Sequence, residues 1–206
     1  MRMRILLLAL AAALGLLALT GCGGDTPTTT ELVESTAQFT IDACQVSGTA
    51  VDSSLSMQVD YTATNHEEEP FSQITILTPH LEESPMSSLE LTLGDKTYPL
   101  TVADKDVIDL DAPVSPGEQF EMSITYQVED LPQVGQEEVS WRITIPTLDR
   151  SATSTGIGEV AVQIDFDAPI KLSSSLPVGL KQDGDTRVAG SLGNLVNLIV
   201  LELEQP

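Results

Sequence analysis

Apolar and polar side chains alternate along much of this 206-residue chain. Residues 55–63 place an apolar side chain at every second position, and residues 120–128 and 139–145 repeat the pattern. Every second side chain of an extended strand points to the same face, so each stretch predicts a half-buried β-strand. Helical periodicity is nearly absent after residue 21, and the chain is therefore predicted to be all-β.

Turn residues separate the predicted strands at intervals of roughly 8 to 12 residues, a spacing typical of β-sandwiches. Gly94-Asp95 and Asp183-Gly184 each predict a hairpin, because glycine adopts positive φ angles without steric cost. The predicted strands are residues 39–46, 55–64, 71–78, 88–93, 97–102, 106–110, 119–128 and 138–145.

Two turn motifs carry a family resemblance. In "MQVDYTATNHEEEPF" a strand ends in Asn before a polar turn, and in "SPGEQFEMSITYQV" a Pro-Gly-Glu turn precedes a later strand. Both are similar to the Ig-like domains that are common in bacterial surface proteins. The resemblance covers residues 37–147 and implies an Ig-like β-sandwich. Because turn chemistry alone carries the resemblance, it implies no activity.

The C-terminal part of the chain follows a Ser-, Thr- and Gly-rich stretch at residues 147–158. Alternation resumes at residues 160–166, and the final run "LVNLIVLELE" is apolar on both faces, which predicts a central strand covered on both sides. Residues 148–206 are therefore either a C-terminal β extension of the sandwich or a second small β domain.

The N-terminus has the pattern of an export signal. Two arginines precede an apolar run at residues 5–19, which is too short to span a membrane comfortably. The end of this run resembles the lipobox of bacterial lipoproteins, Leu19-Thr20-Gly21-Cys22. The resemblance implies that a diacylglyceryl group alkylates the Cys22 thiol and that cleavage removes residues 1–21, the signal peptide. The polar, Pro-containing residues 22–36 then predict a flexible tether between lipid and sandwich.

The mature chain would be strongly acidic. Nine basic and 31 acidic side chains give the full chain a net charge of −22, and cleavage would remove two arginines and no carboxylate. Nucleic acid is disfavoured as a partner, because phosphate contacts need clustered Lys and Arg. The acidity also disfavours a body that lies flat on anionic lipid. The predicted partner is the membrane, through the lipid on Cys22, and the acidic faces would suit a basic protein partner.

Candidate catalytic residues are few. A lipidated Cys22 leaves Cys44 without a disulfide partner, and no basic neighbour in the sequence would lower the Cys44 pKa. The two histidines are His66 and His80, and Pro70 stands where an H-E-x-x-H zinc motif beginning at His66 would need its second histidine. A G-x-S-x-G elbow and a Gly-rich phosphate loop are both missing from the sequence. We therefore expect neither a cofactor nor enzyme activity.

Four aspartates in "DKDVIDLDAP" are the candidate calcium ligands: Asp104, Asp106, Asp109 and Asp111. Carboxylate oxygens suit Ca²⁺, which prefers hard ligands. Their spacing does not match an EF-hand loop, which needs a central Gly and a final Glu. An acidic, solvated loop is therefore expected in place of a calcium site.

Two function classes fit these observations. The first is a lipid-anchored, extracytoplasmic, non-catalytic binding or structural module at the cell surface. The alternative is an accessory subunit of a membrane transporter or envelope complex. The expected location is the outer face of the cell membrane. In a host with two membranes it would be the outer membrane, because Gly23 is not the Asp that retains lipoproteins at the inner membrane.

The lipobox predicts the outcome of the Cys22→Ala substitution. Without the thiol there is no acceptor for the lipid, so the precursor is expected to escape lipoprotein processing and any exported product to leave the membrane fraction. The intact mass of the membrane-extracted wild-type protein provides the comparison. An unmodified Cys22, or retention of residues 1–21 in that protein, would contradict the lipobox interpretation.

Overall fold

A computed structural model describes residues 39–79, 85–102, 105–135, 137–148, 160–194 and 196–206. Fourteen β-strands and no helix occur in these ranges, which confirms the all-β prediction. The strands are β1 (Phe39–Val51), β2 (Ser54–Asn65), β3 (Phe71–Leu77), β4 (Met86–Leu93), β5 (Lys96–Pro99), β6 (Lys105–Val114), β7 (Gln119–Val128), β8 (Val139–Thr144), β9 (Thr147–Leu148), β10 (Val160–Phe166), β11 (Lys171–Leu176), β12 (Leu180–Gln182), β13 (Arg187–Leu192) and β14 (Leu198–Glu204).

The first layer is an eight-stranded sheet in the order β12-β13-β10-β1-β2-β7-β4-β5. Strand β1 pairs antiparallel with β2 on one side and parallel with β10 on the other, where Cys44 lies opposite Val160. Strands from residues 160–192 therefore extend the sheet that begins with residues 39–128. Residues 35–206 form one compact unit.

The second layer consists of two three-stranded sheets, β11-β14-β8 and β6-β3-β9. The chain passes from one to the other through Ile145 and Pro146, which separate β8 from β9. Proline has no backbone N–H to donate to a ladder. The chain can therefore change its pairing partner at Pro146 without losing a strand hydrogen bond from that residue. The two small sheets thus share one continuous segment and together cover one face of the large sheet.

Buried aromatic side chains connect the two layers. The hydroxyl of Tyr126, on β7, donates to the backbone oxygen of Thr144 on β8 at 2.8 Å. The hydroxyl of Tyr61, on β2, donates to the backbone oxygen of Pro146 at 2.8 Å. The ring of Trp141, on β8, packs against Phe166 of β10 with 5.3 Å between ring centroids. Each contact joins the large sheet to the β8–β9 segment, which therefore runs through the middle of the core.

A buried asparagine explains why the two turn motifs of the sequence occur together. Asn65 is the last residue of β2, and its side-chain amide donates to the backbone oxygen of Val114 at 2.9 Å. Its side-chain oxygen accepts from the backbone N–H of Glu67 at 2.8 Å, and its backbone oxygen accepts from Gly117 at 2.9 Å. Gly117 has a φ of 74°, a conformation that favours glycine. The Asn and Pro-Gly-Glu motifs are thus the two sides of one corner.

The hairpins agree with the sequence, and several strands differ in detail. Leu93 pairs with Lys96 across Gly94-Asp95, and β12 and β13 are joined through the turn that contains Asp183-Gly184.

Strand β14 lies between β11 and β8, so the predicted central strand is confirmed. Its prediction as a strand covered on both sides is wrong, because only every second side chain is fully buried and the opposite face is half-exposed. Strand β1 continues to Val51, beyond the predicted end at residue 46.

The buried tyrosine hydroxyls generate a stability prediction. Tyr126→Phe removes a hydrogen bond inside the core, and we expect the free energy of unfolding to fall by about 1–3 kcal/mol. Tyr98→Phe, on the edge strand β5, is the matched control and should change that free energy by less than about 0.5 kcal/mol. Urea denaturation of the purified protein measures both. Equal effects of the two substitutions would show that the interlayer bond does not stabilise the fold.

Candidate functional site

The lipidation candidate Cys22 and the predicted tether, residues 22–36, lie outside the described residues. The described part of the chain begins at Phe39, the first residue of β1. Within that part, no segment forms a helix of the length and hydropathy required to cross a membrane.

The candidate calcium ligands do not converge. Asp104 lies outside the described residues, and the other three lie on strand β6, so the expectation of a loop is wrong for them. Asp106 accepts a hydrogen bond from the backbone N–H of Thr101 at 2.7 Å, and Asp109 accepts one from the amide of Gln73 at 2.7 Å. Asp111 forms an ion pair with Lys96 of β5. Among the described residues, no three His, Cys, Asp or Glu side chains are grouped to hold a metal ion.

The aspartates of β6 instead fit the chemistry of an edge strand. Strand β6 is at the edge of its sheet, and the side chains that alternate with its buried Ile108 and Leu110 are exposed. Charged side chains on an edge strand oppose pairing with another chain. Asp109 and Asp111 therefore protect an edge, and the ion pair of Asp111 links the edges of the two layers.

The thiol of Cys44 is buried and unreactive. Its side chain points into the core from β1 and is 3% exposed. Burial, together with the negative charge of Asp60, raises the Cys44 pKa from 9.0 to about 12, although a hydrogen bond with Tyr61 acts in the opposite direction. A thiol that stays protonated is a poor nucleophile. His66 is exposed in the turn after β2, and His80 lies outside the described residues.

The outer face of the large sheet is polar. It carries Ser, Thr and Gln side chains from β1, β2, β4 and β7, which line an open depression of about 500 Å³. A smaller cavity of about 220 Å³ lies where β8 and β10 approach each other, with Trp141 and Phe166 in its wall and Asp52 and Asp167 at its mouth. The indole N–H of Trp141 already donates to the backbone oxygen of Pro132 at 2.7 Å.

Sequence analysis missed an exposed apolar segment between β11 and β12. We call Leu176, Pro177 and Val178 the apolar corner; Leu176 is 61% exposed and Val178 is 87% exposed. A compositional signal could have revealed it, because residues 168–182 contain no Asp or Glu in a chain that has 31 of them.

Comparison with known proteins gives only a distant likeness. No protein-family model and no curated protein matches the chain. Among solved structures, a mutant of the M1 zinc metallopeptidase from Deinococcus radiodurans is similar with a TM-score of 0.48 and 15% identity, over 79% of this chain and 42% of that chain. The M1 zinc metallopeptidase of the same organism without the mutation gives a TM-score of 0.43 at 15% identity, with the same coverage. The chain thus spans less than half the length of these peptidases.

The buried thiol generates a pH prediction. In the unfolded chain Cys44 ionises near its usual pKa of 9.0, whereas in the folded protein it keeps its proton up to a pKa of about 12. The resulting stabilisation is complete below pH 9.0 and is lost as the pH rises toward about 12. We therefore expect the free energy of unfolding to fall by about 1.4 kcal/mol per pH unit within this window from this group alone.

Cys44→Ala isolates that contribution. The substitution lowers stability at every pH because it leaves a small cavity, but the alkaline fall should become shallower than in the wild type. Urea denaturation of both proteins at several pH values from neutral to alkaline measures the two slopes. Parallel curves would contradict a raised Cys44 pKa.

Proposed function

We propose that this protein is a lipid-anchored, extracytoplasmic lipoprotein whose β-sandwich is a non-catalytic binding or structural module at the cell surface. The observation that carries the proposal is the order of features at the N-terminus: a cationic start, an apolar run, small residues and then Cys22. Two acyl chains on Cys22 would hold the protein at a bilayer without a transmembrane helix.

The spacing between the lipid and the sandwich supports a body held close to the membrane. Sixteen residues separate Cys22 from Phe39. A flexible chain of that length has a root-mean-square extension of about 20–24 Å, which is less than its extended length. The sandwich would therefore stay near the bilayer and remain free to meet a ligand or partner on its exposed faces.

The chemistry of the described side chains supports a non-catalytic role. Cys44 is buried and protonated, and the carboxylates of β6 are each occupied by a different partner within the fold. Polar side chains on the outer face of the large sheet offer hydrogen bonds over a broad surface. A broad, open polar surface suits recognition of a partner, whereas catalysis requires an enclosed geometry.

The proposed location follows from the anchor. Cys22 would be inserted in the outer leaflet of the cell membrane, or in the outer membrane of a host with two membranes because Gly23 follows the cysteine. The strong negative charge of the chain keeps such a body soluble at a crowded surface.

Membrane fractionation followed by co-purification tests the proposal. The wild-type protein should partition with membranes, survive a high-salt wash, and leave them only with detergent, because a lipid anchor is insensitive to ionic screening. From the detergent extract we expect the protein without stoichiometric membrane subunits. Release by salt would contradict the lipid anchor, and a stoichiometric complex with membrane subunits would favour the accessory-subunit alternative.

A further inference from the structure

Two segments at one edge of the sandwich lack the acidic side chains that are frequent elsewhere in the chain. Residues 168–182 and 186–201 contain no Asp or Glu, but they contain Lys171, Lys181 and Arg187. These segments form β11, β12, β13 and the first part of β14. Lys171 pairs with Glu204 at the end of β14, and Arg187 pairs with Asp165 of β10. Arg187 also lies 3.9 Å from Asp183 in the turn between β12 and β13, which contains Asp185 as well. Outside that turn, an anionic membrane would meet few negative charges on these segments.

The apolar corner lies on this edge and is held firmly by backbone packing. Gly179 has a φ of 144°, and a Cβ on it would lie 2.7 Å from the backbone oxygen of Ser191. A Cβ on Gly190 would lie 2.2 Å from the backbone oxygen of Gly179. Only glycines allow the chain to lie this close to β13. Leu176 and Val178 are exposed directly before this close approach.

One basic residue lies beside the apolar corner. Leu176 pairs with Val200 of β14 on the outer face of that sheet. Lys181 follows the corner on β12 and is exposed. Two exposed aliphatic side chains beside a lysine match the chemistry of a bilayer surface, which offers acyl chains below and phosphates above.

The corner also lies at the end of the sandwich where the tether arrives. Within the large sheet, Cys44 pairs with Val160, and Val160 pairs with Leu192. Leu180 pairs with Gly190, so the residues just before Leu180 extend toward this same end. Strand β1 begins at Phe39, five residues before Cys44 and further along in the same direction, and the 38 residues that precede Phe39 attach to the sandwich at that point.

We propose that the apolar corner is a second membrane contact, at which Leu176 and Val178 enter the bilayer interface while Lys181 faces lipid phosphates. The inference rests on the proposed lipid anchor. Two aliphatic side chains are too few to recruit the protein from solution, but a tethered domain samples the bilayer at a high effective concentration. The contact gives the anchored sandwich one preferred orientation, with the turn between β1 and β2 directed away from the membrane.

Environment-sensitive labels on the mature lipoprotein test this contact. The chain has two cysteines, of which Cys22 would carry lipid and Cys44 is buried, so a label can be attached at one introduced thiol. Val178→Cys places the label at the corner. Val107→Cys is the matched control, because Val107 is 51% exposed on β6 at the opposite edge of the sandwich. Both labelled proteins are reconstituted into vesicles of phosphatidylcholine and phosphatidylglycerol, with or without nitroxide-bearing lipids.

The label at residue 178 should emit at shorter wavelength in vesicles than in detergent-free buffer and should lose most of its fluorescence when nitroxide lipids are present. The label at residue 107 should keep an aqueous emission spectrum and resist quenching. Adding Lys181→Glu to the corner-labelled protein should reduce the quenching on these anionic vesicles, whereas Lys105→Glu should leave it unchanged.

Flotation of the vesicles distinguishes a failure of the membrane contact from a failure of the lipid anchor. If the protein floats with the vesicles but residues 178 and 107 give the same aqueous signal, the membrane contact is wrong and the lipid anchor stands. If the protein does not float and its mass shows an unmodified Cys22, both the anchor and the contact are overturned.

Discussion

The parallel ladder between β1 and β10 is the interaction on which the rest of the sandwich depends. Strands β13 and β12 join the large sheet only through β10, whereas β11 and β14 belong to the covering layer. Without β10, the 13-residue strand β1 would present a long unpaired edge. Such edges promote association with other chains. The ladder therefore completes the sheet and also protects its longest strand.

The distribution of charge gives this all-β body its two kinds of surface. Carboxylates on β6 protect an edge, and Asp111 joins that edge to β5 through Lys96. At the opposite edge, residues 168–182 contain no Asp or Glu, and Leu176 and Val178 are exposed. One edge thus resists association, whereas the other combines the low negative charge and apolar exposure that a membrane surface favours. In the proposed arrangement the lipid at Cys22 and the apolar corner act at the same end of the molecule.

Local alternation of side chains predicted the strands. The pairing between distant strands depends on non-local contacts, which these local patterns could not predict. Strands β2 and β7 match their predicted bounds within one residue, because alternation of buried and exposed side chains is written directly in the sequence. The far end of β1 was missed where small residues break the pattern: Gly48 leaves room for Met57 of β2, whose sulfur would lie 2.6 Å from a Cβ at that position. The same limitation hid the pairing of β1 with β10, since parallel neighbours here are more than a hundred residues apart. For the site, the sequence supplied Cys22 as a candidate for lipidation, but the partners of Asp106, Asp109 and Asp111 emerged only from the fold.

Native-state hydrogen exchange tests most directly whether the two ends of the chain form one cooperative sandwich. The comparison is between the slowest amides of β2 and β7 and those of β10, β13 and β14. If the β1–β10 ladder unites the sheet, all of these amides should exchange with the same opening free energy, equal to that of global unfolding. A markedly lower opening free energy for β10, β13 and β14, while β2 and β7 remain protected, would show that the C-terminal strands open independently and would contradict this account.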